Sequence, residues 1–484
     1  MTECNEAARK KGFFMNGIWL VCMLALLAGC APYGRSDTPQ KNDDTQAPAQ
    51  KIVRYEGEKS KAVSLVYTTK RQLSLTFNGM GDKETMLKLL DELDRYHIQA
   101  TFFLPGMRVA EEPDIARTIL SRGHEIENNT LSRVDLTRLP YEKLYSEIQL
   151  ANEVIEKETG VVPRYVRTKL GDYNDDIRLA TAQNGQAAVI SYSLFLHNWQ
   201  KETDEEKRHY IRKYINRGGI IAIDTEENKQ LVGDIPLIAE AAANVGYKFV
   251  TLHQLIEQGG ERKPLEAIPG YDAAKINAKI DGAPYRLIYR KETNKKEVAL
   301  SFDDWGTDAA VTKILEILEQ KGVRASFFLR ADGVERNPNL ARAIAEGGHD
   351  VANHTYSHPV NTKITPEQLQ EEIVKAHRII TEAIQEKPTM YFRPPTGEFD
   401  QRTLQAVAAT GYHTVAIYDV TPSDFVKSNS ADDIVAAIME QTKNGSVVLL
   451  HLLDDIHTVE ALPTVIDRLR SKGYTFVRMT DMFG

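Results

Sequence analysis

In the C-terminal part of the chain, short apolar runs alternate with longer amphipathic segments. The runs are VALSF from Val298, ASFFL from Ala325, HDVAN from His349, TVAIY from Thr414, SVVLLHL from Ser446 and TFVRM from Thr475. Runs this short, rich in β-branched and aromatic residues, predict strands. Between them, AAVTKILEILEQKG from Ala309 and PEQLQEEIVKAHRIITEAIQ from Pro366 space their apolar positions three and four apart and predict helices. Gly322 and Gly473 follow lysine-bearing helix ends, where a C-terminal cap is expected. Strand, helix and strand in regular succession imply a parallel sheet, and this many units favour a barrel over an open sheet. Polar residues at the C-terminal ends of its strands would then point into the mouth.

The pattern occurs twice. QATFFLPGMRVAEEPDIARTILSRGHEIENNT from Gln99 aligns without a gap on RASFFLRADGVERNPNLARAIAEGGHDVANHT from Arg324. Phe77 matches Phe302 at an offset of 225, and Arg167 matches Arg393 at an offset of 226. A duplication is the economical explanation. It divides the chain into a first domain over 51–258, a linker over 259–292 that ends as a strand, and a second domain over 293–484.

Composition narrows the class. The 484 residues are 42% hydrophobic and 26% charged, as in ordinary globular domains, and the net charge is -8. No cluster of Lys and Arg offsets that charge, which excludes a dedicated nucleic-acid binder. All three cysteines, Cys4, Cys22 and Cys30, precede the globular part, so that part holds no disulfide and no thiolate metal site. Arg9-Lys10-Lys11 followed by an apolar run from Phe13 to Leu27 reads as a secretory signal over 1–30. Its end, Leu27-Ala28-Gly29-Cys30, resembles a bacterial lipobox, which implies lipidation at Cys30. An uncleaved membrane anchor is the alternative, although the run is at the short end for a span. Residues 31–50, rich in Pro, Asp and Gln, form a solvated tether with a reach of about 25 Å. The expected location is the extracellular face of the bacterial cell membrane.

The chemistry gathers in the second copy. Asp303 and Asp304 stand where the strand VALSF ends, and adjacent carboxylates repel unless a cation or proton lies among them. The plain alternative makes one of them a helix N-cap. His354 and His358, at i and i+4, can present two imidazoles on one side of a helical turn. A neighbouring carboxylate would complete a three-ligand metal site with a position left for water.

With SFDDW, HTYSH, RPPTG, DVTPSDF and LLH in order, followed by HTVEALPTVIDRLRSKGYTFV, the second copy resembles the polysaccharide deacetylases, the carbohydrate esterase family 4 or NodB-homology domain. The resemblance implies an α/β fold of two tandem distorted (β/α) barrels. It implies a divalent metal, usually zinc, with cobalt or nickel as alternatives, on Asp304, His354 and His358. Asp303 would be the general base, held ionised by Arg393; His451 would be the general acid, oriented by Asp424; and Leu449 would line the pocket for the acetyl methyl. Trp305 departs from the glycine common in the family, and is expected either to line the groove or to pack in the core. Thr396 departs from the usual tyrosine, but keeps the backbone N–H that helps hold an oxyanion.

In the first copy every proposed ligand and proton carrier has changed, while Arg167, Phe77 and the apolar framework persist. Asn78 and Gly79 stand opposite Asp303 and Asp304, Asn129 and Arg133 opposite His354 and His358, Asp224 opposite His451 and Asn198 opposite Asp424. It is expected to bind no metal. His349 recurs as His124, which points to packing or a buried hydrogen bond; His377 and His413 read as structural or exposed, and His457 could reach the groove. The leading expectation is a metal-dependent N-deacetylase acting on an N-acetylated cell-surface polysaccharide, peptidoglycan before chitin-like glycans. A glycan-binding or envelope-organising lipoprotein with little turnover is the alternative, and metal-dependent hydrolysis of another C–N amide in a sugar or small molecule is a third reading.

Overall fold

A computed structural model describes residues 52–196 and 201–484. The signal, the tether, Cys30 and Asn198 lie outside the described residues. Two sheets of parallel strands account for the architecture. The first contains β1 (Lys61–Val63), β2 (Gln72–Asn78), β3 (Thr101–Leu104), β4 (Glu125–Asn128), β5 (Tyr165–Val166), β6 (Ala188–Ile190), β7 (Leu194–Leu196), β8 (Gly219–Asp224) and β9 (Lys248–Phe249). The second contains β10 (Arg286–Ile288), β11 (Glu297–Asp304), β12 (Ser326–Leu329), β13 (Asp350–Asn353), β14 (Tyr391–Phe392), β15 (Thr414–Ala416), β16 (Ser446–His451) and β17 (Thr475–Phe476).

The orders β1-β6-β5-β4-β3-β2-β8 and β10-β15-β14-β13-β12-β11-β16 are the same order, so the duplication is one of topology as well as sequence. β7 extends the first sheet beyond β8, while in the second only a bridge from Val420 to Val448 takes that place. Antiparallel bridges Leu65–Gly219 and Arg290–Ser446 draw the two edges of each sheet together into a distorted barrel. β10 falls inside the stretch expected to be linker and belongs to the second sheet. The two-residue β14 is too short to show as an apolar run.

Alternation sets the layers. Val298, Leu300 and Phe302 face the helices, with Val448, Leu450 and Leu452 beside them. Ala299 and Val447 lie in a separate interior cluster with Phe328 and Ala416. Ser301 pairs with Leu449 and Asp303 with His451, so these four continue the interior face towards the strand ends. Helices Asp308–Gln320 and Thr458–Ser471 end one residue before a lysine cap, and Gly322 and Gly473 follow with left-handed backbone. Phe302 stacks on Phe327 and Phe77 on Phe102, with ring centroids 5.0 and 4.8 Å apart.

The halves are fastened by buried polar groups. Arg217, just ahead of β8, reaches Asp308 at 3.3 Å and Thr312 at 2.6 Å across the seam, and donates to the Thr69 carbonyl at 3.0 Å. Asp308 is also held by Asn337, whose amide donates at 3.0 Å. Asn339, fully buried, donates to the carbonyls of Val66 and Arg217 at 2.8 and 2.6 Å. On the first half these contacts lie beside the N-terminal ends of β2 and β8. Arg217→Ala leaves a buried carboxylate without its cation and should lower stability by about 3–5 kcal/mol. Denaturant titration should then show the halves unfolding in separate steps in place of one.

Candidate active site

Asp303 and Asp304 end β11 on different sides of a sharp change in backbone direction. Asp303 keeps the interior face, and Asp304 adopts left-handed backbone with φ 75°. Neither is a helix N-cap; that role falls to Thr307, whose hydroxyl accepts from the Ala310 N–H. The next strand end but one, β13, supplies the imidazoles. His354 to His358 forms a loop, and not the helical turn expected from the spacing, because Thr355 and His358 are both left-handed, with φ 67° and 65°. Side chains stabilise that strained course. Asn353 accepts from the Thr355 N–H at 2.9 Å, Thr355 from the His358 N–H at 3.0 Å, and Glu372 from the N–H groups of Tyr356 and Ser357.

The loop brings Asp304, His354 and His358 together, with one ligand atom from each within 4.8 Å of the others. Nδ1 of His354 lies 2.8 Å from the Arg393 carbonyl, which fixes its proton there and leaves Nε2 as a lone-pair donor. Burial holds this imidazole neutral, at about 3, despite the pull of Asp304. A carboxylate with two imidazoles is a donor set that fits a divalent metal such as zinc and leaves a position for water.

Arg393 occupies the barrel interior, fully buried. It donates to Asp303 at 2.6 Å and Ser301 at 2.9 Å, and to the carbonyls of Ala416 and Ile417, with its guanidinium 3.9 Å from the Phe328 ring centroid. Burial raises the proton affinity of Asp303, against the opposing charges of Arg393 and His451. On the strand beside β11, His451 at the end of β16 is held by Asp424, which lies 2.8 Å from its Nδ1 and accepts from its backbone N–H at 2.8 Å. Burial alone would lower the pKa of His451; the hydrogen bond and charge of Asp424, with Asp303 and Asp304 beyond, outweigh it and raise the value. Leu449 lies on the interior face one pleat below His451, nearly buried. Thr396 sits exposed at the rim with left-handed backbone, φ 61°. Trp305 is half-buried and packs against Gly333, where a Cβ would lie 2.2 Å from its Cγ.

Residues 66–189 and 290–415, together more than half of the chain, match the family model described as polysaccharide deacetylase. The chain belongs to the polysaccharide deacetylase family. It is a hydrolase of that class. A peptidoglycan-N-acetylglucosamine deacetylase of Bacillus cereus is 36% identical over 203 residues, covering 41% of this chain and 72% of its own. The peptidoglycan-N-acetylmuramic acid deacetylase PdaA of Bacillus subtilis is 29% identical over 214 residues, covering 44% and 80%. Among solved structures, a peptidoglycan N-acetylglucosamine deacetylase in complex with 4-naphthalen-1-yl-N-oxidanyl-benzamide is 34% identical, covers 41% of this chain and 93% of that one, and superposes with a TM-score of 0.39. A family pseudoenzyme from Bacillus anthracis is 30% identical, covers 41% and 69%, and has the same TM-score of 0.39.

The first half of this deacetylase-family chain keeps the frame and fills the site. Arg167 repeats the Arg393 contacts, donating to Thr76 and Asn78 and to the carbonyls of Ile190 and Ser191. With no carboxylate beside it, burial lowers its pKa to about 9. Gly79, Thr130 and Arg133 repeat the left-handed angles of Asp304, Thr355 and His358. The Arg133 guanidinium bridges Asp224 and Glu226 at 2.6 Å each. A Cβ at Gly79 would meet it at 2.5 Å, so the side chain lost there makes the room.

Several contributors gave no sequence signal of their own. Thr458 donates to Asp424 at 2.6 Å, and Phe425, half-exposed, stands edge-on to His451 at 5.3 Å. His349 and His124 each accept a backbone N–H, from Ala325 and Ala100, and burial lowers both to about 4. His377 is buried between Tyr412 and the Gly270 carbonyl, while His457 is exposed beside Glu460. In a full-length chain carrying His354→Ala and His358→Ala, adding Asn129→His should restore no zinc binding by isothermal titration. The guanidinium still fills the space, and Gly79 supplies no donor.

Proposed function

We propose that the protein removes N-acetyl groups from peptidoglycan or a similar N-acetylglucosamine glycan, in a metal-dependent reaction that releases acetate. The observation that carries this reading is the three-donor cluster with a buried carboxylate, Asp303, and an imidazole, His451, at the same strand ends. The names of the relatives support the substrate class. A cation on Asp304, His354 and His358, zinc before cobalt or nickel, would supply Lewis-acid polarisation of the acetyl carbonyl and acidify water.

The chain's own groups do the remaining work. Asp303 takes the proton of the attacking water; its burial raises its proton affinity and Arg393 fixes its position. His451 carries the proton for the departing amine on Nε2, since Nδ1 is engaged by Asp424. An amide nitrogen leaves poorly as an anion, so this donation is needed for the C–N bond to break. The Thr396 N–H would hold the developing oxyanion and Leu449 the methyl group. Phe425 offers an apolar face beside His451 on which a sugar ring can rest. Lipidation at Cys30 would keep the enzyme on the extracellular face of the membrane, within tether reach of the wall.

Acetate release from N-acetylglucosamine oligomers and from purified peptidoglycan, with and without chelator, tests the reading. Chelator should abolish release and zinc restore it; no chelator-sensitive acetate from either substrate would leave a glycan-binding envelope protein. Asp303→Asn should cut kcat by at least about a hundredfold while metal content stays near one per chain, whereas His354→Ala should lose both. Metal analysis of the two purified variants distinguishes these outcomes. Asp424→Asn removes the charge that raises the His451 pKa, so the proton is lost earlier as pH rises. The alkaline limb of the pH–kcat profile should therefore shift to lower pH.

A further inference from the structure

Between the two halves lies a cleft of about 960 Å³. One wall comes from the loops that follow β11, β12 and β16, which is the face of the second barrel that also bears the Asp304 cluster. Trp305, the residue after Asp304, lines it. Its indole is pinned against Gly333, so it forms a fixed wall. The pair is peculiar to the second half, since Met80 and Arg108 stand at the matching positions of the first. The opposite wall comes from the first half: Lys213 and Tyr214, at the end of helix Asp204–Tyr214, are both exposed, and the Lys213 ammonium lies 5.4 Å from the Tyr214 ring centroid. Asp454 and Glu335 add carboxylates to the second half's side.

We propose that this cleft is a second substrate subsite, which holds sugars of the glycan strand adjoining the one at the Asp304 cluster, with the first half as its far wall. The inference rests on the deacetylase reading above. A sugar ring has apolar faces and a hydroxyl edge, and the lining matches it: three aromatic side chains, Trp305, Tyr214 and Tyr67, among groups that donate and accept hydrogen bonds. The volume is at the upper end of the range for ligand sites, enough for more than one ring. The Arg217–Asp308 and Asn339 contacts hold the walls at a fixed separation, so a strand meets a formed cleft. The first half would thus serve the reaction through binding, having lost its own chemistry.

The test uses the full chain carrying Lys213→Ala with Tyr214→Ala, two surface positions far along the sequence from every proposed ligand. Peptide-free N-acetylglucosamine dimer and hexamer are the probes. The ratio of kcat/KM on hexamer to that on dimer should fall about five- to twentyfold in the variant, through KM and not kcat. An unchanged ratio overturns the subsite while leaving the deacetylase reading intact. A ratio that falls only on peptidoglycan fragments carrying peptide stems also overturns it, and assigns the cleft to the stem. Should the wild type release no acetate at all, the deacetylase reading fails on its own. Calorimetric titration of the hexamer then decides the cleft: a five- to twentyfold affinity loss in the variant supports it, and equal affinity overturns it.

Discussion

One buried guanidinium holds the catalytic half in register. Arg393 joins the end of β11, through Ser301 and Asp303, to the carbonyls of Ala416 and Ile417 across the barrel, and lies over Phe328 as it does so. Its carbonyl also accepts from His354. A charge this deep is tolerated only because each of its N–H groups finds a partner. The same residue therefore fixes Asp303, orients His354 and closes the interior. The first half shows which of these duties is structural: Arg167 makes the equivalent bonds to Thr76, Asn78 and two carbonyls where neither the carboxylate nor the imidazole is present. Burial lowers the pKa of Arg167 there.

The first half's counterpart of the Asp304 cluster follows the same electrostatics. Asp224 and Glu226 are a concentration of negative charge at a barrel mouth, and Arg133 supplies the permanent cation that neutralises them. Two left-handed residues persist in the loop, at Thr130 and Arg133, because the side-chain bonds from Asn128, Thr130 and Glu147 that stabilise the loop have persisted too. The loop geometry is thus independent of the ligand set it can carry. An exchange of His for Arg at one left-handed position turns a ligand into a built-in counterion.

Much of this was readable in the sequence. Apolar runs marked the long strands, ungapped self-alignment gave the duplication, and the paired aspartates with HTYSH marked the residues that the fold gathers. The histidines sorted well because the two copies could be compared: His349 recurs as His124, and both make the same buried bond to a backbone N–H. What the sequence could not show depends on three-dimensional closure. β14 is two residues long and is defined by its neighbours. Thr458 reaches Asp424 across 34 positions, and spacing carries no trace of such a pair. The helical turn expected for His354 to His358 failed because i, i+4 spacing is shared by helices and by compact loops, and the left-handed angles that separate them are set by Asn353 and Glu372.

The seam between the halves uses the rim of the first barrel beside the N-terminal ends of β2 and β8, where Val66 and Arg217 lie. The decayed pocket of that barrel, with Asn78 and Asp224, is at the other ends of the same strands. Among the described residues, the changed positions Asn78, Gly79 and Asp224 therefore stand at the strand ends remote from the seam. Decay of one function and upkeep of the joint could proceed separately, so a duplicated enzyme could shed an active centre without coming apart.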